Sequence, residues 1–206
     1  MIAWSESLIA RELAVGLFAK KLVVVDNCNW TGHECDLLCV TTDLRIVDVE
    51  IKISRADFKA DAKKDKWWNR QFHGYAPRKE VFNDAGRLIR IEQPALYNVQ
   101  PRPHPPKVWK HYYALPEEIW NESLFEFMPS PASGVVLLAE RKSGYITHRV
   151  IRRATPCRDA SRIAPAQALD IARLASLRRW EALQRLRAAQ SDVEFWKAKQ
   201  REAEAL

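Results

Sequence analysis

Residues Asp36 to Asp61 read DLLCVTTDLRIVDVEIKISRADFKAD, and at their centre Val47-Asp48-Val49-Glu50-Ile51-Lys52-Ile53 alternates strictly between apolar and charged side chains. A strand turns successive side chains to opposite faces. Val47, Val49, Ile51 and Ile53 therefore share one face, which needs a core, and Asp48, Glu50 and Lys52 share the other. Asp36, on the preceding strand, supplies a third carboxylate. Two acids able to hold a divalent cation beside a lysine suggest metal-assisted hydrolysis of a phosphodiester. Alternation alone equally fits a polar sheet face whose Glu50 and Lys52 are merely solvated or paired.

Working outward, Leu8, Ile9, Leu13, Leu17 and Phe18 recur at helical spacing from Ser5, a suitable N-cap, to Lys21. Leu22 to Val25 reads as a buried strand ended by Asp26-Asn27. Cys35 to Thr41 forms a second strand, Thr42-Asp43 a hairpin turn, and Arg45 to Ile53 the central strand. Ser54-Arg55-Ala56-Asp57 has the form of a capping box and opens a helix expected to run through Trp67-Trp68. A hairpin is expected at Lys79–Phe82 and Arg87–Ile91 around Asn83-Asp84-Ala85-Gly86. The proline-rich run Pro101 to Pro106 suits only a surface loop. Residues 73–110 read as an insertion. The fold resumes with strands at His111–Leu115, Ser133–Leu138 and Tyr145–Val150. Pro165 to Glu204, free of internal glycine and proline, reads as one long helix. Its stripe Leu169, Ala172, Ser176, Trp180 and Leu183 wanders afterwards to Leu186 and Val193, unlike a regular coiled coil.

Composition narrows the class. With 206 residues, 47% hydrophobic and 29% charged, the chain suits one soluble domain with an appendage. No apolar run approaches the roughly 18 residues of a membrane helix. The start carries Glu6 and Glu12 and lacks a basic leader, so no signal peptide is expected. Four cysteines, Cys28, Cys35, Cys39 and Cys157, are too few for a disulfide framework and favour a reducing cytoplasm. With His33 nearby, the spacing Cys28-x6-Cys35-x3-Cys39 matches no zinc-finger pattern, and buried thiols are the simpler expectation. A net charge of +7 favours a polyanionic partner.

Asp36 followed by Glu50-x-Lys52 resembles the metal-binding motif of the PD-(D/E)XK nuclease superfamily. The longer run Val49 to Asp61, followed by Lys63-Lys64-Asp65-Lys66-Trp67, is similar to the signature of MmcB-like DNA-repair nucleases and their phage relatives. Tyr112-Tyr113-Ala114-Leu115-Pro116 and Gly134 to Glu140 resemble two further strands of that family. The match spans roughly residues 5–72 and 110–153. It departs in having no proline before Asp36, which follows Glu34-Cys35; many members also lack that proline.

The resemblance implies an α/β fold with a restriction-endonuclease-like core, a mixed central sheet flanked by helices. That core would fill residues 1–158, with a helical extension over 159–206. It further implies that Asp36, Glu50 and the Ile51 carbonyl bind Mg²⁺ or Mn²⁺. Lys52 would orient or deprotonate the attacking water, and Glu12 would be the acid that the first helix contributes. The implied activity is metal-dependent hydrolysis of DNA in repair, recombination or phage DNA processing.

Arg55, Lys59, Lys63, Lys64 and Lys66 are candidates for a phosphate backbone, although a charge run is also what a solvated helix face carries. Asp57 suits a helix cap, and Asp61 an ion pair with Arg55 or a following lysine. Trp67 and Trp68 fit a core as well as base stacking. Arg141-Lys142, His148-Arg149 and Arg152-Arg153 could present cations around a hairpin. The alternative function is a non-catalytic DNA-binding or partner-recruiting protein on the same fold. Its long helix would serve docking or homodimerisation.

Overall fold

The computed structural model describes residues 2–204; Ala205 and Leu206, at the end of the expected extension, lie outside the described residues. Helix α1 (Glu6–Val15) is capped as expected, the Ser5 hydroxyl accepting the Leu8 N–H at 3.3 Å. Strands β1 (Val23–Cys28), β2 (Cys35–Val40) and β3 (Ile46–Ile51) form an antiparallel meander. Helix α2 (Arg55–Ala60) follows, with Ser54 Oγ accepting the Asp57 N–H at 3.1 Å. Beyond an insertion, β8 (Lys110–Pro116) lies parallel to β3, β9 (Gly134–Glu140) lies parallel to β8, and β10 (Ile146–Arg152) closes the edge antiparallel. The sheet order is β1-β2-β3-β8-β9-β10. The protein is thus mixed α/β, with a mixed central sheet and a long C-terminal helix.

Both faces of this sheet are covered. Ile9, Ala10 and Leu13 of α1 pack on Leu37, Cys39, Val47, Val49, Ile51, Ala114, Val136 and Leu138, so the odd-numbered residues of β3 find the core their alternation requires. On the opposite face, Phe58 and Trp67 pack with Tyr113, Leu115, Leu124 and Leu137 over β8 and β9. Over β1 and β2, Ile163, Ala168 and Ile171 pack with Val25, Cys28, Leu38, Val40 and Ile46. Gly134 allows Tyr112 to lie directly on the β9 backbone, where an added Cβ would come within 2.4 Å of its ring.

The elements depart from expectation at several points. β1 does not end at Asp26-Asn27. It continues to Cys28 with Asn27 at φ 46°, a left-handed conformation that asparagine tolerates better than most residues. α2 stops at Ala60 instead of reaching Trp68. Asp61 turns its carboxylate into the core, the chain tightens into 3-10 turns at Asp61–Lys63 and Asp65–Trp67, and Lys64 is extended between them. Trp68 already opens a strand.

The insertion is a β-ribbon. Its stem pairs β4 (Trp68–Tyr75) with β7 (Ala95–Pro101), and its tip pairs β5 (Lys79–Phe82) with β6 (Leu88–Glu92) close to the expected hairpin. Helix α3 (Pro165–Glu204) is continuous, but the face that meets the sheet is Ala168, Ile171, Leu174 and Ala175. Leu169 and Trp180 of the expected stripe point to solvent, 70% and 61% exposed. From Arg179 onward every described residue of α3 is exposed. The helix rises about 1.5 Å per residue, so it projects well beyond the sheet. No helix among the described residues is long and apolar enough to cross a membrane.

The start of α3 therefore belongs to the core although the expected boundary falls before it. A chain ending at Glu181 is expected to unfold in urea at the same midpoint as the full chain. One ending at Arg158 loses Ile163 and Ile171 from the core and should be less stable by more than about 3 kcal/mol, since each large buried aliphatic side chain removed costs about 2–5 kcal/mol.

Candidate active site

Antiparallel pairing brings the start of β2 beside the end of β3. There Asp36 Oδ2 accepts the Ile51 N–H at 2.6 Å, so the first acid meets the Glu50-Ile51-Lys52 run at its central peptide. Asp36 also lines an open cleft of about 410 Å³ with Trp4, Ser5, Glu6, Asp26, Asn27 and Ile53. Burial and the like charge of Glu50 push the Asp36 carboxyl up to about 6, against the opposing hydrogen bond from Ile51.

Glu12 is not in this cleft. Its carboxylate accepts from Arg11 at 2.7 Å, whereas Glu6 lines the cleft. Six residues are about one and two-thirds helical turns, which sets the two acids on different faces of α1.

Glu50 and Lys52 lie on the other side of β3, enclosed rather than solvated. Glu50 is 0% and Lys52 3% exposed. Glu50 Oε2 receives the ammonium of Lys52 at 3.0 Å and that of Lys64 at 2.7 Å, while Lys66 Nζ binds Oε1. Lys52 also reaches Asp61 Oδ1 at 3.2 Å and Asp57 at 3.7 Å, and Lys64 reaches Asp61 at 3.0 Å. Asp61 Oδ2 accepts from Trp67 Nε1 at 3.0 Å and from the Tyr113 hydroxyl at 2.5 Å. Asp48 takes His33 Nε2 at 3.2 Å and lies 3.6 Å from Lys66 Nζ. Three buried carboxylates thus face two buried ammonium groups, Lys52 and Lys66, and a third, Lys64, that reaches in from the surface.

Such a cluster persists only if its charges compensate one another. Burial opposes ionisation of Asp48, but Lys66, His33 and His111 outweigh it and hold the carboxyl below the usual range. Burial likewise opposes ionisation of Asp61, and Lys66, Lys52, Tyr113 and Lys64 outweigh it. Lys64 and Lys66 are raised despite burial, by Glu50 and Asp61 and, for Lys66, also Asp48. His111 is lowered to about 4 by burial and by Lys66, so its imidazole is neutral.

The cations proposed from sequence for a phosphate backbone divide. Arg55, Lys59, Lys63 and Lys64 stand at the surface, although Arg55 Nε donates to the Ile119 carbonyl at 2.6 Å and Lys59 covers the Phe127 ring at 4.0 Å. Lys66 is inside and turned to Asp48 and Glu50. Trp67 is a core residue that anchors Asp61. Of the second basic tract, Arg149 pairs with Glu117 at 2.7 Å and Arg152 Nε donates to the Ser133 carbonyl at 2.9 Å. Sequence reasoning passed over the inward roles of Lys66 and Tyr113, and over His111 altogether. Tyr113 and His111 are polar residues in a largely apolar strand, a weak signal without knowing which strands pair, and Lys66 ends a charged run that reads as a solvated face.

No protein-family model matches this chain, and no curated protein matches it. Among solved structures it is similar to the SPO1766 protein of unknown function from Silicibacter pomeroyi. That likeness has 20% sequence identity and a TM-score of 0.48, over 90% of this chain and 94% of the other.

Two outcomes are expected of this geometry. Lys66→Ala leaves buried carboxylates uncompensated and should lower stability by about 3–5 kcal/mol in urea titration, against a change within about 0.5 kcal/mol for exposed Lys63→Ala. The folded value of Asp36 lies above its ordinary 3.8, so the native state holds this proton more tightly than the unfolded chain does. Asp36 therefore opposes folding increasingly as pH rises from its ordinary 3.8 to about 6, and by a constant amount above that. In chelator, Asp36→Asn should melt higher than the parent at about pH 7.5, an advantage that disappears toward about pH 4. An equal difference at both pH values would contradict the assignment.

Proposed function

We propose that the protein is a metal-dependent DNA nuclease that hydrolyses phosphodiester bonds, acting in DNA repair, recombination or phage DNA processing. The observation that carries this reading is the meeting of Asp36 with Glu50-Ile51-Lys52 at the Ile51 peptide. The order helix, antiparallel meander, helix, parallel strand is also consistent with a restriction-endonuclease-like core of the PD-(D/E)XK type, and the longer signature resembles MmcB-like nucleases.

Mg²⁺ or Mn²⁺ suits these residues. Glu50 Oε2 already receives the ammonium of Lys64, whose side chain is 45% exposed and would have to leave Glu50 and Asp61 for solvent. A hard dication replacing it would be held by Glu50, and Asp36, now on the Ile51 N–H at the cleft side of β3, would have to turn from that bond to join it together with the Ile51 carbonyl. The ion supplies activation of water and neutralisation of charge on the phosphate. Lys52, anchored between Glu50 and Asp61, orients the attacking water and stabilises the charge that develops on phosphorus-bound oxygen. Arg55, Lys59, Lys63 and the displaced Lys64 would contact backbone phosphates. The cytoplasmic setting expected of such an enzyme suits its free cysteines. The projecting part of α3 is proposed as a homodimer contact.

A second reading has its own observation, the enclosure of Glu50 and Lys52. A non-catalytic DNA-binding or partner-recruiting protein would keep that cluster as a structural element and use the exposed cations and α3 instead.

The deciding test is cleavage of labelled single-stranded, duplex and branched DNA with Mg²⁺ or Mn²⁺, beside Glu50→Ala and Lys52→Ala variants of verified fold. Cleavage abolished by chelator and reduced by at least about 100-fold in each variant is expected, in line with the loss of a charge-stabilising group. Salt-dependent binding without cleavage of any of the three substrates would transfer the conclusion to the second reading. In sedimentation, the full chain should form a dimer and the chain ending at Glu181 a monomer.

A further inference from the structure

One pair step along β3 from Glu50, a different set of donors converges. His33 lies in the loop before β2, Cys35 opens β2, Asp48 is on β3, and His111 stands opposite Asp48 in the parallel register of β8. His33 Nε2 is 3.2 Å from Asp48 Oδ2, Cys35 Sγ is 3.9 Å from His33 Nε2, and His111 Nε2 is 3.8 Å from Asp48 Oδ2. One donor atom each from His33, Cys35 and Asp48 lies within 4.8 Å of the other two. Zinc bonds of about 2.0–2.1 Å to nitrogen or oxygen and about 2.3 Å to sulfur place tetrahedral neighbours roughly 3.3–3.7 Å apart. The donors of His33, Cys35 and Asp48 need to close by up to about an ångström to reach that spacing, and His111, which approaches the cluster through Asp48, must swing further toward the other two.

An independent feature points the same way. His111 Nε2 and Asp48 Oδ1 are buried without a hydrogen-bond partner, in side chains that are 1% and 0% exposed. Buried polar atoms are rarely left in this state. His111 Nδ1 lies 2.9 Å from the Ser133 hydroxyl. In the tautomer that donates to Ser133, Nε2 presents its lone pair toward Asp48, the arrangement in which an outer partner fixes a ligating imidazole.

We propose that His33, Cys35, Asp48 and His111 form a closed tetrahedral site for a transition-metal dication of the zinc class. A thiolate and two imidazoles select such an ion over Mg²⁺ or Ca²⁺. Binding releases the Cys35 thiol proton to solvent, and His33 ligates through Nε2 with its proton on Nδ1. No electron is transferred. The two positive charges are balanced by the thiolate and the Asp48 carboxylate, which leaves Lys66 to Glu50. The ion ties the loop before β2 to β2, β3 and β8, so its role is structural. It is distinct from the ion proposed at Asp36 and Glu50, and stands or falls separately from the nuclease reading.

The test is titration of the full, chelator-stripped protein with Co²⁺ alone. Uptake of one equivalent with a thiolate-to-cobalt charge-transfer band and the visible bands of a tetrahedral ion is expected. One equivalent of Zn²⁺ should displace it, and excess Mg²⁺ should not. Cys35→Ser should lose the charge-transfer band, and Cys39→Ser, a buried thiol further along the same strand, should retain it. Ser133→Ala should weaken Zn²⁺ binding by about 10–100-fold without abolishing it. Absence of the band from the unsubstituted protein, or its persistence in Cys35→Ser, would mean a hydrogen-bonded cluster only and overturn the proposal. The first of these does not depend on any variant folding.

Discussion

The architecture depends on mutual neutralisation of charges that have no access to water. β3 is central, and both of its faces are covered. Its apolar face meets α1 without difficulty, whereas its polar face places Asp48 and Glu50 where an isolated carboxylate would be very costly. Lys52, Lys64 and Lys66 remove that cost at Glu50, and Lys66 with His33 at Asp48, only when α2 and the turns after it are in place, and Tyr113 and Trp67 hold Asp61 among them. The short α2 and the inward turn at Asp61 follow from this requirement. So does the placement of Lys66, which helical continuation from α2 would not have brought to Glu50.

The chain disclosed its framework readily, because framework is written locally. Ser5 and Ser54 mark real helix starts, the hairpin around Asn83 and Gly86 lies where turn chemistry puts it, and strict alternation assigned the two faces of β3. What alternation cannot express is whether a charged face looks at water or at other charges, since the partners come from distant residues. Lys66 and Tyr113 join Glu50 and Asp61 through chain reversal and parallel pairing, neither of which leaves a periodic trace. The packing face of α3 was hidden for another reason. Leucine and tryptophan attract attention as core residues, yet small alanines at 168 and 175 are what allow the helix to approach β1 closely.

At the site, the approach of Asp36 to the end of β3 could be anticipated from a hairpin connecting the two strands. The geometry of α1 could not. Glu6 and Glu12 are both acidic and both helical, and only the orientation of α1 on the sheet separates the one that lines the cleft from the one that pairs with Arg11. His111 was overlooked because a histidine between a lysine and two tyrosines in a strand carries no motif. Its significance comes from standing beside Asp48 across a parallel register.

That parallel register spans the whole insertion, and the ribbon has a bearing on how it can form. Joining β3 to β8 across a long unstructured segment would carry a loop-closure entropy that grows slowly with length, and would slow the search for the pairing. Trp68 pairs with Pro101 at the base of the ribbon, so the insertion returns the chain close to where it left. Once β4 and β7 have zipped from the local hairpin at the tip, the remaining loop is short. An appendage that adds little to the core thereby shortens the path along paired strands between β3 and β8, turning a distant pairing into a nearer one.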